Sequence, residues 1–414
     1  MPILKNVGNR TEYLSDAQVR LEPGESTNKV DPILCIKLAR DTKHWSIAWE
    51  DCKHKEGKTL YLTATIPVHP TEGYGTYSIH SLLGLEQHGV RISSVNGVHP
   101  SMRESLTKMY PGIVELIERE PKYPTRWGIA FGYPNALDEL PTEHRVLSTM
   151  YESTQVPSTW DEPLKTADII IVPAESQIEI FRSSGCTQPM YAVPIGIDVS
   201  EYAYKEREEK DTFTFVSWSR MSSRKCPNET LIAFWKAFPV SKYPDVRLIM
   251  KTRNHDFGVG RAGIPAVADS RVTIIDEEWE TWQLAKLAHE ADAACFLSHG
   301  EGFFMPPLQA MATGLPVIAP THSGCSAWAD DKYCYTVGLD PHKPLVESPL
   351  GMRDYKPLLW WNCDMEQVSH LMRHIYDNRD EAKAKGKKAA SYVRRKFSRE
   401  VMVKELLGVM RKLS

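Results

Sequence analysis

Runs of β-forming residues alternate with runs of helical period from residue 59 to residue 397. Residues 59–68 read as a strand, residues 77–88 carry apolar side chains at helical spacing, and Gly89 stands where a helix would stop. Residues 90–95 read as the next strand, with further strands at 127–131, 146–151, 168–172 and 191–193. A second series repeats the pattern, with strands at 213–218, 246–251, 272–275, 293–297 and 317–319 and helices at 230–238, 282–290 and 306–312. Strands joined through helices pair in parallel, because a parallel connection needs a long crossover. The expectation is an α/β chain of two doubly wound, Rossmann-like domains facing a cleft. Ligands in such sheets bind beyond the carboxyl ends of the strands.

Length supports two domains, since 414 residues exceed one ordinary core. Residues 1–57 stand apart: the turn signal Glu22-Pro23-Gly24-Glu25 and the short apolar run at 33–36 suggest a small, partly β N-terminal extension. Residues 58–205 and 206–397 are expected to form the two domains. Between their sheets lies the charged run at 205–211, read as a solvated linker. Helices are expected at 364–376 and 379–396, and the amphipathic segment 398–414 is expected to pack back on the first domain. A composition of 42% hydrophobic and 25% charged residues is that of a soluble globular protein. The net charge of −3 excludes a general polycation, so any nucleic-acid contact must be local. No apolar run approaches the ~20 residues of a membrane span, and residues 1–9 carry no signal core. The eight cysteines include no C-x-x-C pair, as expected of reduced thiols in a cytoplasmic protein.

The sharpest local signal is the run Ser298-His299-Gly300-Glu301-Gly302-Phe303-Phe304-Met305-Pro306-Pro307-Leu308-Gln309-Ala310-Met311-Ala312-Thr313-Gly314. A buried strand ends at Leu297, the loop turns through two glycines, two prolines occupy the first helical turn, and Gly314 ends the helix. A helix N-terminus at a strand end attracts anions through its free N–H groups and its dipole. Glu301, just before the glycine turn, can accept hydrogen bonds from sugar hydroxyls. The same run can also serve as a plain strand–loop–helix unit with no ligand.

This run resembles the donor site of glycosyltransferase family 4, retaining enzymes of GT-B fold whose signature is E-G-F-G-x-P-x-x-E-A-M-A-x-G. Glu301, Gly302, Phe303, Ala310, Met311, Ala312, Gly314 and the following Pro316 match; Gln309 replaces the second glutamate and Phe304 the second glycine. The resemblance implies a donor site of His299, Gly300, Glu301, Gly302, Phe303, Phe304 and Gln309, with Gln309 on the ribose. It extends to Arg220 and Lys225, similar to the family's R-x4-K pair that clamps the diphosphate, with Arg224 able to replace either. Arg offers a planar fork and Lys a point charge, both suited to phosphate. Gly73-Tyr74-Gly75 is similar to the family's first glycine loop, which places Gly73 and Gly75 at the donor. Pro194-Ile195-Gly196-Ile197-Asp198 is similar to its close of the first domain.

Glu152 stands where many members carry a histidine, as a candidate to orient a hydroxyl or as an ordinary polar residue at a domain edge; His144 and His299 are weaker candidates. The candidate catalytic set is therefore Glu301, Arg220, Lys225 and Glu152. No D-x-D triplet occurs, so the expected site uses no metal and no cofactor, with a nucleotide-sugar donor, UDP-glucose by family frequency, as substrate. The resemblance implies transfer of a hexose with retention to a hydroxyl acceptor: a glycan, a metabolite or a hydroxymethylated base in DNA. The basic residues of 383–396 supply local charge for a polyanion, or only a solvated helix face. The alternative is a sugar-nucleotide-binding protein without transfer, for which Gln309 and Phe304 argue. A Rossmann dehydrogenase is disfavoured, since no G-x-G-x-x-G follows the first strand of either series.

Overall fold

The computed structural model describes residues 60–67, 73–96, 98, 102–119, 125–208, 210–252, 268–349 and 358–413, together with the backbone of five short strands before residue 50. Those five are antiparallel. β1 (Pro2–Asn6) pairs with β4 (Ser26–Thr27) and β5 (Trp45–Trp49), and β2 (Glu12–Leu14) pairs with β3 (Val19–Leu21). The extension is partly β, as its turn signals imply.

A first six-stranded sheet contains β6 (Tyr61–Thr65), β7 (Arg91–Asn96), β8 (Trp127–Phe131), β9 (His144–Ser148), β10 (Ile169–Val172) and β11 (Met190–Ala192), in the order β11-β10-β9-β8-β6-β7. The pairings from β7 to β10 are parallel. Leu62, Ala64, Ile129, Val146, Leu147, Ile170 and Ile171 have no exposed surface, so adjacent residues are buried on both faces of the sheet. The accompanying helices are α1 (Gly73–Gln87), α2 (Arg103–Met109), α3 (Pro111–Ile117), α4 (Asp161–Lys165) and α5 (Glu175–Ser183). Gly73-Tyr74-Gly75 is therefore the first turn of α1 and not a separate loop. Gly89, at φ 90°, ends that helix in the left-handed conformation expected of it.

The second sheet contains β12 (Phe213–Trp218), β13 (Val246–Thr252), β14 (Val272–Asp276), β15 (Ala293–Cys295), β16 (Val317–Pro320) and β17 (Tyr335–Val337), all parallel, in the order β14-β13-β12-β15-β16-β17. Its helices are α6 (Pro227–Ala237), α7 (Thr281–Glu290), α8 (Met305–Ala312), α9 (Met365–Asp377) and α10 (Arg379–Lys396), and α11 (Arg399–Met410) follows them. α6 and α9 seal one part of the core, where Phe215, Phe234, Phe238, Leu248, Val368 and Met372 pack together. Each such side chain contributes roughly 1.5–3 kcal/mol of burial. An antiparallel hairpin of β18 (Leu345–Glu347) and β19 (Leu359–Trp361) follows β17; its short strands escape periodicity analysis.

The strand orders locate the ligand positions. Order 3-2-1-4-5-6 in the second sheet reverses between β12 and β15, and order 2-1-3-4-5-6 in the first reverses between β6 and β8. Loops leaving two such strands diverge and open a crevice at the sheet's carboxyl edge. By contacts the chain divides into two compact units: Met1–Thr149, Glu162–Ile171 and Leu406–Ser414, and Met150–Asp161 with Val172–Glu405. The charged run at 205–211 is not simply a solvated linker. Arg207 is half-buried and donates to the carbonyls of Ala288, Ala291 and Thr313 and to Thr313 Oγ1, because helix and strand ends leave carbonyls in need of donors.

Candidate active site

The switch point of the second sheet brings together two loops, the one after β12 and the one after β15. The first runs through Arg220, which is exposed, to Ser223, Arg224 and Lys225 and ends at Cys226, left-handed at φ 50°. The second runs from Phe296 to Phe304. They are joined backbone to backbone by His299 N–H to the Arg224 carbonyl at 2.7 Å, and Ser298 Oγ donates to the same carbonyl at 3.0 Å.

Glu301 lies at the centre and is 5% exposed. Lys225 Nζ donates to its Oε1 at 2.5 Å, and Arg224 Nη1 lies 3.1 Å from its Oε2. Burial pushes the Glu301 pKa up, but Lys225 and then Arg224 outweigh burial and hold the carboxyl below its ordinary value. Burial pulls the Lys225 pKa down, and Glu301 opposes that fall. Arg224 also donates to the Gly300 carbonyl at 2.5 Å and lies 3.6 Å from Glu152 Oε1. Two carboxylates and two cations thus form one cluster, with both cations on the buried Glu301.

The glycines of this loop serve close packing and not a turn; neither Gly300 nor Gly302 has positive φ. A Cβ on Gly300 would meet the Glu152 carbonyl oxygen at 2.3 Å, and one on Gly302 would meet Met150 at 2.3 Å. The left-handed residue is Phe304, at φ 70°, the N-cap of α8. That conformation accounts for glycine at this position in the family pattern, and here it costs about 1–2 kcal/mol. The Phe304 ring is buried, packs edge-on against Phe296 at 6.0 Å, and has Lys225 Nζ 4.6 Å from its centroid, an attraction that offsets part of the strain. α8 starts at Met305, so Pro306 and Pro307 occupy its second and third positions and remove two of the first four N–H groups. The helix end is a weaker anion site than the sequence pattern suggests, and the cations of the β12 loop supply most of the positive charge.

His299 Nδ1 pairs with the Trp361 carbonyl at 2.9 Å, and its ring stacks on Trp360 with an interplanar angle of 9°. Gln309 Oε1 accepts from Trp218 Nε1 at 3.3 Å. Glu301, Lys225, Arg224, Glu152, Gly300, Gly302, His299, Phe303, Phe304 and Gln309 all fall in one compact unit. Gly73, Gly75 and His144 belong to the other, where the His144 ring packs at a tilt against Trp127, 4.5 Å between centroids. Sequence reasoning missed Ser323, whose Oγ accepts the Glu301 N–H at 3.1 Å, and His322, whose buried ring stacks on Trp361 at 5.5 Å. Neither lies in a motif, and only the left-handed φ of 51° at Ser323 marks the turn. Among the described residues, no group of three or more His, Cys, Asp or Glu side chains is arranged to hold a metal ion.

Residues 214–343, which contain both loops, match the family model described as Glycosyl transferases group 1. This stretch is similar to the glycosyl transferases of group 1. No curated protein matches the chain by sequence. Among solved structures, sucrose-phosphate synthase from Thermosynechococcus elongatus is similar, with a TM-score of 0.59 at 15% identity over 86% of this chain and 99% of that one. HepE from Anabaena, solved with UDP and glucose, gives 0.57 at 12% identity over 85% and 100%. A UDP-forming trehalose-phosphate synthase from Burkholderia xenovorans gives 0.56 at 12% identity over 85% and 99%. The fold is GT-B, two Rossmann-like domains, and the matched stretch carries the charged cluster at the switch point of the second. No helix among the described residues is long and apolar enough to cross a membrane.

Proposed function

We propose that the protein transfers a hexose, glucose in the first instance, from UDP to a hydroxyl acceptor with retention of configuration and without a metal ion. The observation that carries this reading is the Glu301 carboxylate held between Lys225 and Arg224 at the switch point of the stretch similar to group 1 glycosyl transferases. A nucleoside diphosphate leaves with growing negative charge, and fixed cations aimed at that charge lower the barrier. Lys225 is the cation able to exchange Glu301 for phosphate, because Arg224 remains to neutralise the carboxylate. Arg220, exposed at the end of β12, is the second candidate for the phosphates. Glu301 would accept sugar hydroxyls, and Gln309 keeps an amide where the family pattern has a carboxylate. Retention is what the family resemblance implies, with the leaving phosphate taking the acceptor's proton. UDP and UDP-glucose bound to the similar HepE structures support the donor class.

The test is calorimetric titration of UDP and UDP-glucose, followed by release of free glucose from UDP-glucose in water. Binding with glucose release supports transfer chemistry. Binding with none favours the alternative of a sugar-nucleotide-binding protein, for which Gln309 is the specific departure. Absence of binding to any UDP-, GDP- or ADP-sugar would overturn the donor reading. An α-configured product in the anomeric NMR signal supports retention, and a β-configured one refutes it.

A further inference from the structure

The direction of the Glu301 carboxylate depends on how its own peptide groups are held. Its N–H donates to Ser323 Oγ at 3.1 Å, and its carbonyl accepts the Gly324 N–H at 2.9 Å. The same carbonyl accepts a second hydrogen bond, from Gln177 Nε2 at 3.3 Å. Gln177 sits in the first turn of α5 with no exposed surface. Its Oε1 accepts the Tyr151 N–H at 2.8 Å, and Nε2 also donates to the Tyr151 carbonyl at 3.0 Å. The side-chain amide has two N–H donors and one carbonyl, so both of its donors and its oxygen are in use.

One buried side chain therefore grips two segments at once. The first is Tyr151, next to Glu152, whose carbonyl oxygen leaves no room for a Cβ on Gly300. The second is Glu301 itself. Neighbouring Ser176 adds an indirect hold: its Oγ donates to the Ser323 carbonyl at 2.7 Å, and Ser323 in turn accepts the Glu301 N–H. Arg224 bridges the same two segments through their side chains, at Glu152 and Glu301. Backbone and side-chain links thus run in parallel across one junction.

We propose that Gln177 is a positioning residue for Glu301, fixing through its amide the distance between the 151–152 segment and the loop after β15. Its kinetic consequence rests on the reading of Glu301 as the donor-sugar carboxylate; the positional effect does not. A carboxylate moved by about 1 Å loses up to a hundredfold in rate while a bound diphosphate held by other groups is little affected.

The experiment uses the full chain with Gln177→Leu and, because that change removes one partner from each of three backbone groups, the milder Ser176→Ala. Hydrogen exchange of residues 298–304 is compared with that of β12, β13 and β16 in the absence of ligand. The expected result is roughly tenfold faster exchange confined to 298–304 in Gln177→Leu, and a smaller change of the same kind in Ser176→Ala. Glucose release from UDP-glucose should fall about tenfold or more, with the Kd of UDP within about twofold of wild type. Unchanged exchange in 298–304, or a rise spread evenly over the unit with UDP affinity and melting temperature falling in step, overturns the inference and makes Gln177 a packing residue. If wild type binds neither UDP nor UDP-glucose, the donor reading fails, and the exchange comparison alone decides the role of Gln177.

Discussion

Glu301→Gln keeps the shape of the side chain and removes its charge, which separates a carboxylate that acts on the sugar from one that only neutralises Lys225. If Glu301 strengthens its contacts as positive charge develops on the sugar, kcat for glucose release falls at least about tenfold. UDP affinity should hold or tighten, since Lys225 is then released from its partner. An unchanged kcat removes Glu301 from the chemistry. Lys225→Met should lower turnover by a factor equivalent to ~2–4 kcal/mol and also weaken UDP binding; wild-type values for both would exclude Lys225 from the phosphate site.

A pH effect belongs to His322, whose pKa burial, and then neighbouring His299, hold down at about 3. The unfolded chain takes up that proton near pH 6.5. Between about 3 and 6.5 the unfolded state binds more protons, so the stability from this neutral imidazole is complete above 6.5 and declines as pH falls. His322→Gln should therefore show a flatter decline in urea midpoint from pH 7.5 to pH 4.5. Parallel declines would mean that His322 is protonated in the fold.

At the scale of the element, Gly300→Ala and Gly73→Ala make opposite predictions from the same chemical change. The Cβ at 300 would meet a backbone oxygen at 2.3 Å, so the loop after β15 or the 151–152 segment must shift. A loss of about 1–3 kcal/mol in stability and roughly tenfold in turnover is expected. At 73 nothing lies within 4 Å and the residue is in a helical turn, so alanine should be neutral or stabilising by up to about 1 kcal/mol. Thermal melts and glucose release on the two variants check both.

These positions also show what the sequence could reveal. Alternation of β and helical runs identified both sheets, because buried parallel strands such as β10 are unbroken apolar runs. The run at 298–314 marked the loop after β15, and the spacing of Arg220 and Lys225 marked the loop after β12 that meets it. Strand order was not legible, since it depends on long-range pairing. The place of Arg224 followed from that order: spacing favoured Arg220, and only the folded loop turns Arg224 onto Glu301. Gln177 and Ser323 carry no motif, because their work is done through backbone groups that every residue shares. Gly73-Tyr74-Gly75 misled for a related reason, as glycines signal a turn locally but are tolerated at a helix start.

Across the whole molecule, the two compact units and the confinement of the charged cluster to one of them predict how ligand binding appears in stability. A ligand that binds only the folded state stabilises it by RT ln(1 + [L]/Kd), about 2.7 kcal/mol at a hundredfold excess over Kd. Arg224, Lys225, Glu301 and Gln309 all lie in the unit formed by Met150–Asp161 and Val172–Glu405. At that excess UDP should therefore raise the melting transition of that unit by roughly 5–11 °C, at about 2–4 °C per kcal/mol for a domain of this size. If the units melt in separate steps, the other transition stays put; if they melt as one, a single peak moves by less. The same scan run in excess EDTA tests the proposal of a metal-free site, because cations of the chain, Lys225 foremost, then carry the whole neutralisation of the diphosphate. An equal shift with and without EDTA is the expected outcome. A shift that vanishes in EDTA and returns with manganese or magnesium would show that Lys225, Arg224 and Arg220 together are insufficient. A shift confined to the transition of the other unit would place the nucleotide away from Glu301 altogether.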